Sequence, residues 1–62
     1  DLLKLILEEI DRLPEKQAEV MRLAVLEDLG YGDISKRTGL SQVHVRVLVS
    51  TARKTLKRKI RI

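Results

Sequence analysis

Three interruptions constrain this chain more than any other feature. Pro14, the Gly30 and Gly32 pair, and Gly39 are the only proline and the only glycines in 62 residues. Between them apolar residues recur at three- and four-residue steps, the period of helices packed on one side. The expected fold class is therefore all-α: a four-helix single domain over residues 1–62, with a long last helix. Leu2, Leu3, Leu5, Ile6, Ile10 and Leu13 mark a first amphipathic helix over about 1–12, with an acidic start. Pro14 ends it and suits the first position of the next helix. That second helix is predicted to run to about Asp28 with Val20, Met21, Leu23, Ala24 and Leu26 inward, and Gly30 is expected to supply a left-handed stop.

A short third helix is predicted over about 32–38, with Asp33 at its positive end and Ile34 inward. Gly39 then permits a tight turn, Leu40 plugs the core, and Ser41 caps a fourth helix reaching about Arg58 or beyond. A short helix, a glycine turn and a capped long helix together make a helix-turn-helix pattern. Tyr31 is expected to brace the two middle helices. As the only aromatic residue it is too little for a base-stacking platform.

A domain this small sits near the lower size limit for folding without staples. With no cysteine there is neither a disulfide framework nor a thiolate zinc site, and one histidine holds no metal alone. No apolar run approaches the ~20 residues that span a bilayer, and no signal peptide opens the chain. The expectation is a cytoplasmic setting without membrane association, and, because Asp1 rather than methionine comes first, a domain cut from a longer protein. Catalysis finds no foothold. There is no cysteine nucleophile and no glycine-rich phosphate loop, and the acids Glu8-Glu9 and Glu27-Asp28 are adjacent on helices and point apart. No enzyme activity, cofactor or small-molecule ligand is expected.

The charge is segregated. All nine acidic residues lie between Asp1 and Asp33 with four basic ones, a balance of −5; Ile34 to Ile62 holds nine basic residues and no acid. Such a half points to a polyanion, nucleic acid before an anionic membrane, whereas a merely solvated basic helix usually carries interspersed Glu. On a helical wheel the last helix puts Val45, Leu48, Val49, Ala52, Leu56 and Ile60 inward. Val43, His44, Arg46, Val47, Ser50, Lys54, Lys57, Arg58 and Arg61 fall on or near the other side.

The first outward residues occupy the half of such a helix that reaches base edges, and the later Lys and Arg are spaced to follow phosphates. Arg46 suits a bidentate guanine contact, against the alternative of a solvated surface arginine. His44 touches a base or phosphate, or is passive. Gln42 and Ser50 offer hydrogen bonds, although Gln42 also serves to complete the helix's first turn. Val43 and Val47 are apolar yet outward, fit either for thymine methyls or for a protein partner.

With those residues in place, the chain resembles the C-terminal, −35-reading domain (region 4) of bacterial RNA polymerase sigma factors, the extracytoplasmic-function group especially. Leu13-Pro14, Gln17 and Glu19-Val20-Met21-Arg22-Leu23 are similar to that family's opening helix. Leu29-Gly30-Tyr31-Gly32-Asp33-Ile34-Ser35 is similar to its leucine-serine-tyrosine-x-glutamate-isoleucine-alanine stretch. Thr38-Gly39-Leu40-Ser41, Val45-Arg46-Val47 and Ala52-Arg53-Lys54-Thr55-Leu56 are similar to its turn and recognition helix. The match runs from Leu13 to about Lys57 without gaps.

The resemblance implies sequence-specific recognition of double-stranded promoter DNA in transcription initiation. Gln42, Val43, His44, Arg46, Val47 and Ser50 would read or fit the major groove, with Ser41 also touching DNA, while Arg37, Arg53 and Lys54 would sit on phosphates. It further implies RNA polymerase core as a partner, through an apolar groove of the first two helices, with an anti-sigma protein as a competitor. The chain departs from the family at Ala18 and Thr51, where Arg is usual, at Leu48, where a polar residue is usual, and at His44, where Thr or Asn is usual. Two rivals stay open: a response-regulator output domain, which usually has a one-residue-shorter link between its second and third helices, and an interaction module with a degenerate helix-turn-helix engaging protein through Val43, Val47 and Leu48.

Overall fold

The computed structural model describes residues 1–60, and the outward position expected for Arg61 lies outside the described residues. Four helices follow one another: α1 (Leu2–Asp11), α2 (Glu15–Val25), α3 (Tyr31–Thr38) and α4 (Gln42–Ile60), and no strand occurs among the described residues. The all-α four-helix reading is thus the observed fold. Asp1 starts α1 by accepting the Leu3 amide at 3.0 Å, satisfying a donor that helical geometry leaves without a partner. Pro14 stands one residue before α2, with extended backbone (φ −52, ψ 148), and its carbonyl accepts the Ala18 amide at 2.9 Å.

Between α2 and α3 the structure corrects the sequence reading. Helix α2 stops at Val25, three residues short of the expected end, and Leu26 beyond it is 55% exposed rather than inward. The left-handed residue is Asp28 (φ 54), with the Leu29 amide reaching back to the Leu23 carbonyl at 3.2 Å. Aspartate tolerates that conformation better than most residues. Gly30 has ordinary extended backbone (φ −78, ψ 170) and is the N-cap of α3, which begins at Tyr31 rather than Gly32.

Gly39 does what was expected of it. It adopts φ 77 at the end of α3 and its amide bonds the Ser35 carbonyl at 2.9 Å. Side chains lock this turn. Ser35 Oγ donates to the Leu40 carbonyl, and Thr38 Oγ1 donates to the Ile34 carbonyl (2.8 Å) while accepting the Leu40 amide (3.2 Å). Ser41 Oγ then accepts the His44 amide at 3.1 Å and starts α4.

Each helix is anchored by at least one fully buried aliphatic side chain: Ile10 from α1, Val20 from α2, Ile34 from α3, Val45 and Val49 from α4. Burying a side chain of this kind contributes about 1.5–3 kcal/mol, so losing any one removes a sizeable part of a small domain's stability. Leu13, Ala18, Met21, Ala52 and Leu56 complete the core, which holds no polar or charged residue among the described ones. Helix α4 packs against all three others. In α1, Ile6, Leu7 and Ile10 pack inward, while Leu2, Leu3 and Leu5 are about half exposed. No described helix is long and apolar enough to cross a membrane.

Candidate nucleic-acid interface

Helix α4 divides its length between two tasks. Its buried residues Val45, Val49, Ala52 and Leu56 recur at four, three and four residues, one side of the helix, with Leu48 half-buried beside them. Gln42, Val43, His44, Arg46, Val47, Ser50, Arg53 and Lys54 are all exposed. Leu48 therefore serves the core, which explains an apolar residue at that position.

Arg46, Ser50, Arg53, Lys54 and Lys57 line one shallow depression together with Tyr31. Four cations thus gather with no carboxylate among the lining residues, an arrangement suited to a phosphate-bearing chain. Arg37 is not brought to this group. It lines a separate depression with Leu29, Asp33 and Lys36, and its guanidinium bonds Glu27 Oε1 at 3.2 Å. The other ion pairs among the described residues are Arg12–Glu9 and Arg22–Asp11, so none of the ion pairs there engages a cation of α4.

Val43 and Val47 are 72% and 54% exposed, the most uncovered apolar residues of the helix. Two of the expected polar contacts have work inside the protein. Ser41 Oγ accepts the His44 amide as the cap. Gln42 Nε2 lies 3.6 Å from where a Cβ on Gly32 would sit, so its side chain leans across the start of α3. His44 gathers no metal set, there being no group of three His, Cys, Asp or Glu suited to one among the described residues.

Tyr31 carries one contact that sequence reasoning missed. It is half-buried and packs against the core, as a brace would, but its ring also lies under Arg46, whose Cζ is 5.9 Å from the ring centroid. Fifteen positions separate the two in the chain, and no local pattern announces the pair. At the departures from the family pattern, Ala18 is buried, where a backbone-holding Arg would have to leave the core, and Thr51 is exposed with its carbonyl accepting Thr55 Oγ1 at 3.2 Å.

On the other side of α4 an apolar groove is lined by Ile6, Met21, Val25, Leu56 and Ile60, with Arg53 and Lys57 at its edge. It is built from α1, α2 and the end of α4, and so differs from a groove of the first two helices alone. The aliphatic stems of Arg53 and Lys57 border both this groove and the basic depression, an arrangement long basic side chains permit.

Compared with known protein families, residues 3–56 match the model described as "Sigma-70, region 4". No curated protein and no solved structure matches the chain.

Proposed function

We propose, from the premise that this chain belongs to the sigma-70 region 4 family, that α4 is the helix that enters the major groove, with Arg46 as its principal base-reading residue. The family is the −35 promoter-binding region of transcription initiation. It is a DNA-binding and not a catalytic family, and its partners are promoter DNA and RNA polymerase core. That membership removes the response-regulator alternative.

The observation that carries the residue-level reading is the division of α4. Its buried stripe leaves Val43, His44, Arg46, Val47 and Ser50 outward in the N-terminal half, while the cations farther along the helix have no carboxylate among the described ion pairs. In this reading Arg46 meets a guanine edge, Val43 and Val47 meet thymine methyls, and His44, Gln42 and Ser50 add hydrogen bonds. Arg53 and Lys54 hold phosphates beside them; Arg37 does so once it leaves Glu27. Ser41 acts as the cap that sets the helix start. The groove of Ile6, Met21, Val25, Leu56 and Ile60 faces polymerase or an anti-sigma protein in its place. The match of Leu29 to Ser35 with the extracytoplasmic-function pattern supports that subgroup and a cytoplasmic protein.

The test is a titration of duplex DNA against salt together with Arg46→Ala. Four to six phosphate contacts give a log–log slope of about −0.9 per contact. Arg46→Ala is expected to lose ~1–3 kcal/mol on the best site and much less on unrelated duplex. A slope near zero refutes DNA binding by this face and favours the protein-interaction module. Equal losses on every sequence reduce Arg46 to a backbone contact.

A further inference from the structure

Arg46 stands in an unusual setting for a base-reading arginine. Ser50, Arg53, Lys54 and Lys57 share its depression, so the charged residues that line it with Arg46 are all of its own sign. No described ion pair restrains it. Its guanidinium lies over the ring of Tyr31, with Cζ 5.9 Å from the centroid. That separation is within the reach of attraction between a cation and the negative face of an aromatic ring.

Tyr31 is itself well fixed. It is the first residue of α3, inside the turn closed by the bond from the Ile34 amide to the Gly30 carbonyl at 3.0 Å, and its side chain packs against the core. We propose that Tyr31 is a positioning residue for Arg46: its ring fixes the guanidinium before DNA arrives and so sharpens discrimination at the base pair Arg46 reads. The proposal rests on the assignment of Arg46 to the DNA interface.

The chemistry of the pair suits that task better than a carboxylate would. An aspartate or glutamate partner would neutralise the positive charge and occupy N–H donors that a guanine edge needs. A ring face does neither. It attracts the guanidinium charge through its negative face and occupies none of its N–H donors. Restricting a long side chain in advance also reduces the rotamer freedom lost on binding. The benefit falls on the oriented base contact and not on phosphate contacts, which tolerate a mobile charge.

The test is a double-mutant cycle of Tyr31→Leu and Arg46→Ala, read on the best duplex site and on unrelated duplex, with proton NMR of the free protein. Tyr31→Leu is expected to weaken the best site about two- to fivefold, the scale of an exposed cation–ring contact. Unrelated duplex and the salt slope stay unchanged. Tyr31→Phe keeps the affinity, and in the Arg46→Ala background Tyr31→Leu costs nothing further.

In the free protein the Arg46 side-chain protons show upfield ring-current shifts that Tyr31→Phe preserves and Tyr31→Leu removes. An undiminished Tyr31→Leu loss in the Arg46→Ala background overturns the proposal and leaves Arg46 in the interface. Arg46→Ala without effect on any DNA overturns the assignment beneath it, and is told apart because the ring-current shift then persists. The shift is read on the unsubstituted protein, so its absence overturns the proposal whether or not Tyr31→Leu folds.

Discussion

Gly39 and Gly30 offer a controlled comparison, because the same chemical change is expected to have different effects at the two sites. At both, a Cβ would meet nothing within 4 Å, so crowding is absent and only backbone conformation differs. Gly39 has φ 77, where an L-residue with a Cβ is disfavoured by about 1–2 kcal/mol. Alanine also restricts the unfolded chain, which returns about 0.4–1 kcal/mol. Gly39→Ala should therefore destabilise by about 1 kcal/mol, lowering Tm by roughly 4–8 °C in a domain of this size. Gly30 has φ −78, which alanine adopts freely. The same unfolded-state gain is there offset by the preference of an N-cap for glycine over alanine, leaving a change of about zero. Thermal and urea unfolding followed by circular dichroism measure both, with Gly39→Asn expected between them because asparagine tolerates the left-handed region. If Gly30→Ala loses as much as Gly39→Ala, the conformational assignment of the α2–α3 link is wrong and the stop at Asp28 falls with it.

Three more outcomes follow from particular contacts. Ser41→Ala removes the acceptor of the His44 amide and should lower stability by ~1 kcal/mol, seen as a shift in urea midpoint; an unchanged midpoint would mean the cap contributes nothing. Val47→Ser leaves the core intact and should weaken sites bearing thymine at the contact by ~1 kcal/mol, with thymine-to-uracil giving the same loss and the two changes together little more. A uracil effect that is undiminished in Val47→Ser would exclude the methyl contact. Glu27→Gln releases Arg37 from an exposed pair, which should change stability by less than ~1 kcal/mol and raise duplex affinity modestly, measured by fluorescence anisotropy; unaltered affinity would place Arg37 outside the interface.

The parts of the fold that were legible in the sequence are those governed by local rules. Helical period identified Ile10, Val20, Ile34, Val45 and Val49, each now fully buried. The Gly39 turn and the Ser41 cap are short-range bonds between neighbours. The α2–α3 link was misread because aspartate and glycine both suit a left-handed position, and Asp28 took it two residues before Gly30. Leu2, Leu3 and Leu5 look like core by type, but one helix of ten residues cannot turn all its leucines toward a single neighbour. The outward face of α4 followed from the same period as its buried one. The Tyr31–Arg46 pair and the Glu27–Arg37 pair join separate elements, where no spacing rule applies.

Helix α4 also separates how this domain can change from how it stays folded. Its buried residues lie on one stripe, and no side chain of its first turns serves both the core and the exposed face. Exposed positions away from caps and special contacts usually alter stability by no more than ~0.5 kcal/mol when substituted. Val43, His44 and Val47 can thus be exchanged singly, along a mutational path on which every intermediate folds, and on the proposed reading the preferred DNA sequence drifts with them. Arg46 is the exception among them, because its exchange strands a ring on a different helix. A lineage that retunes promoter preference through α4 would on this account alter Arg46 only together with Tyr31, leaving a paired substitution across fifteen residues as the trace of the change.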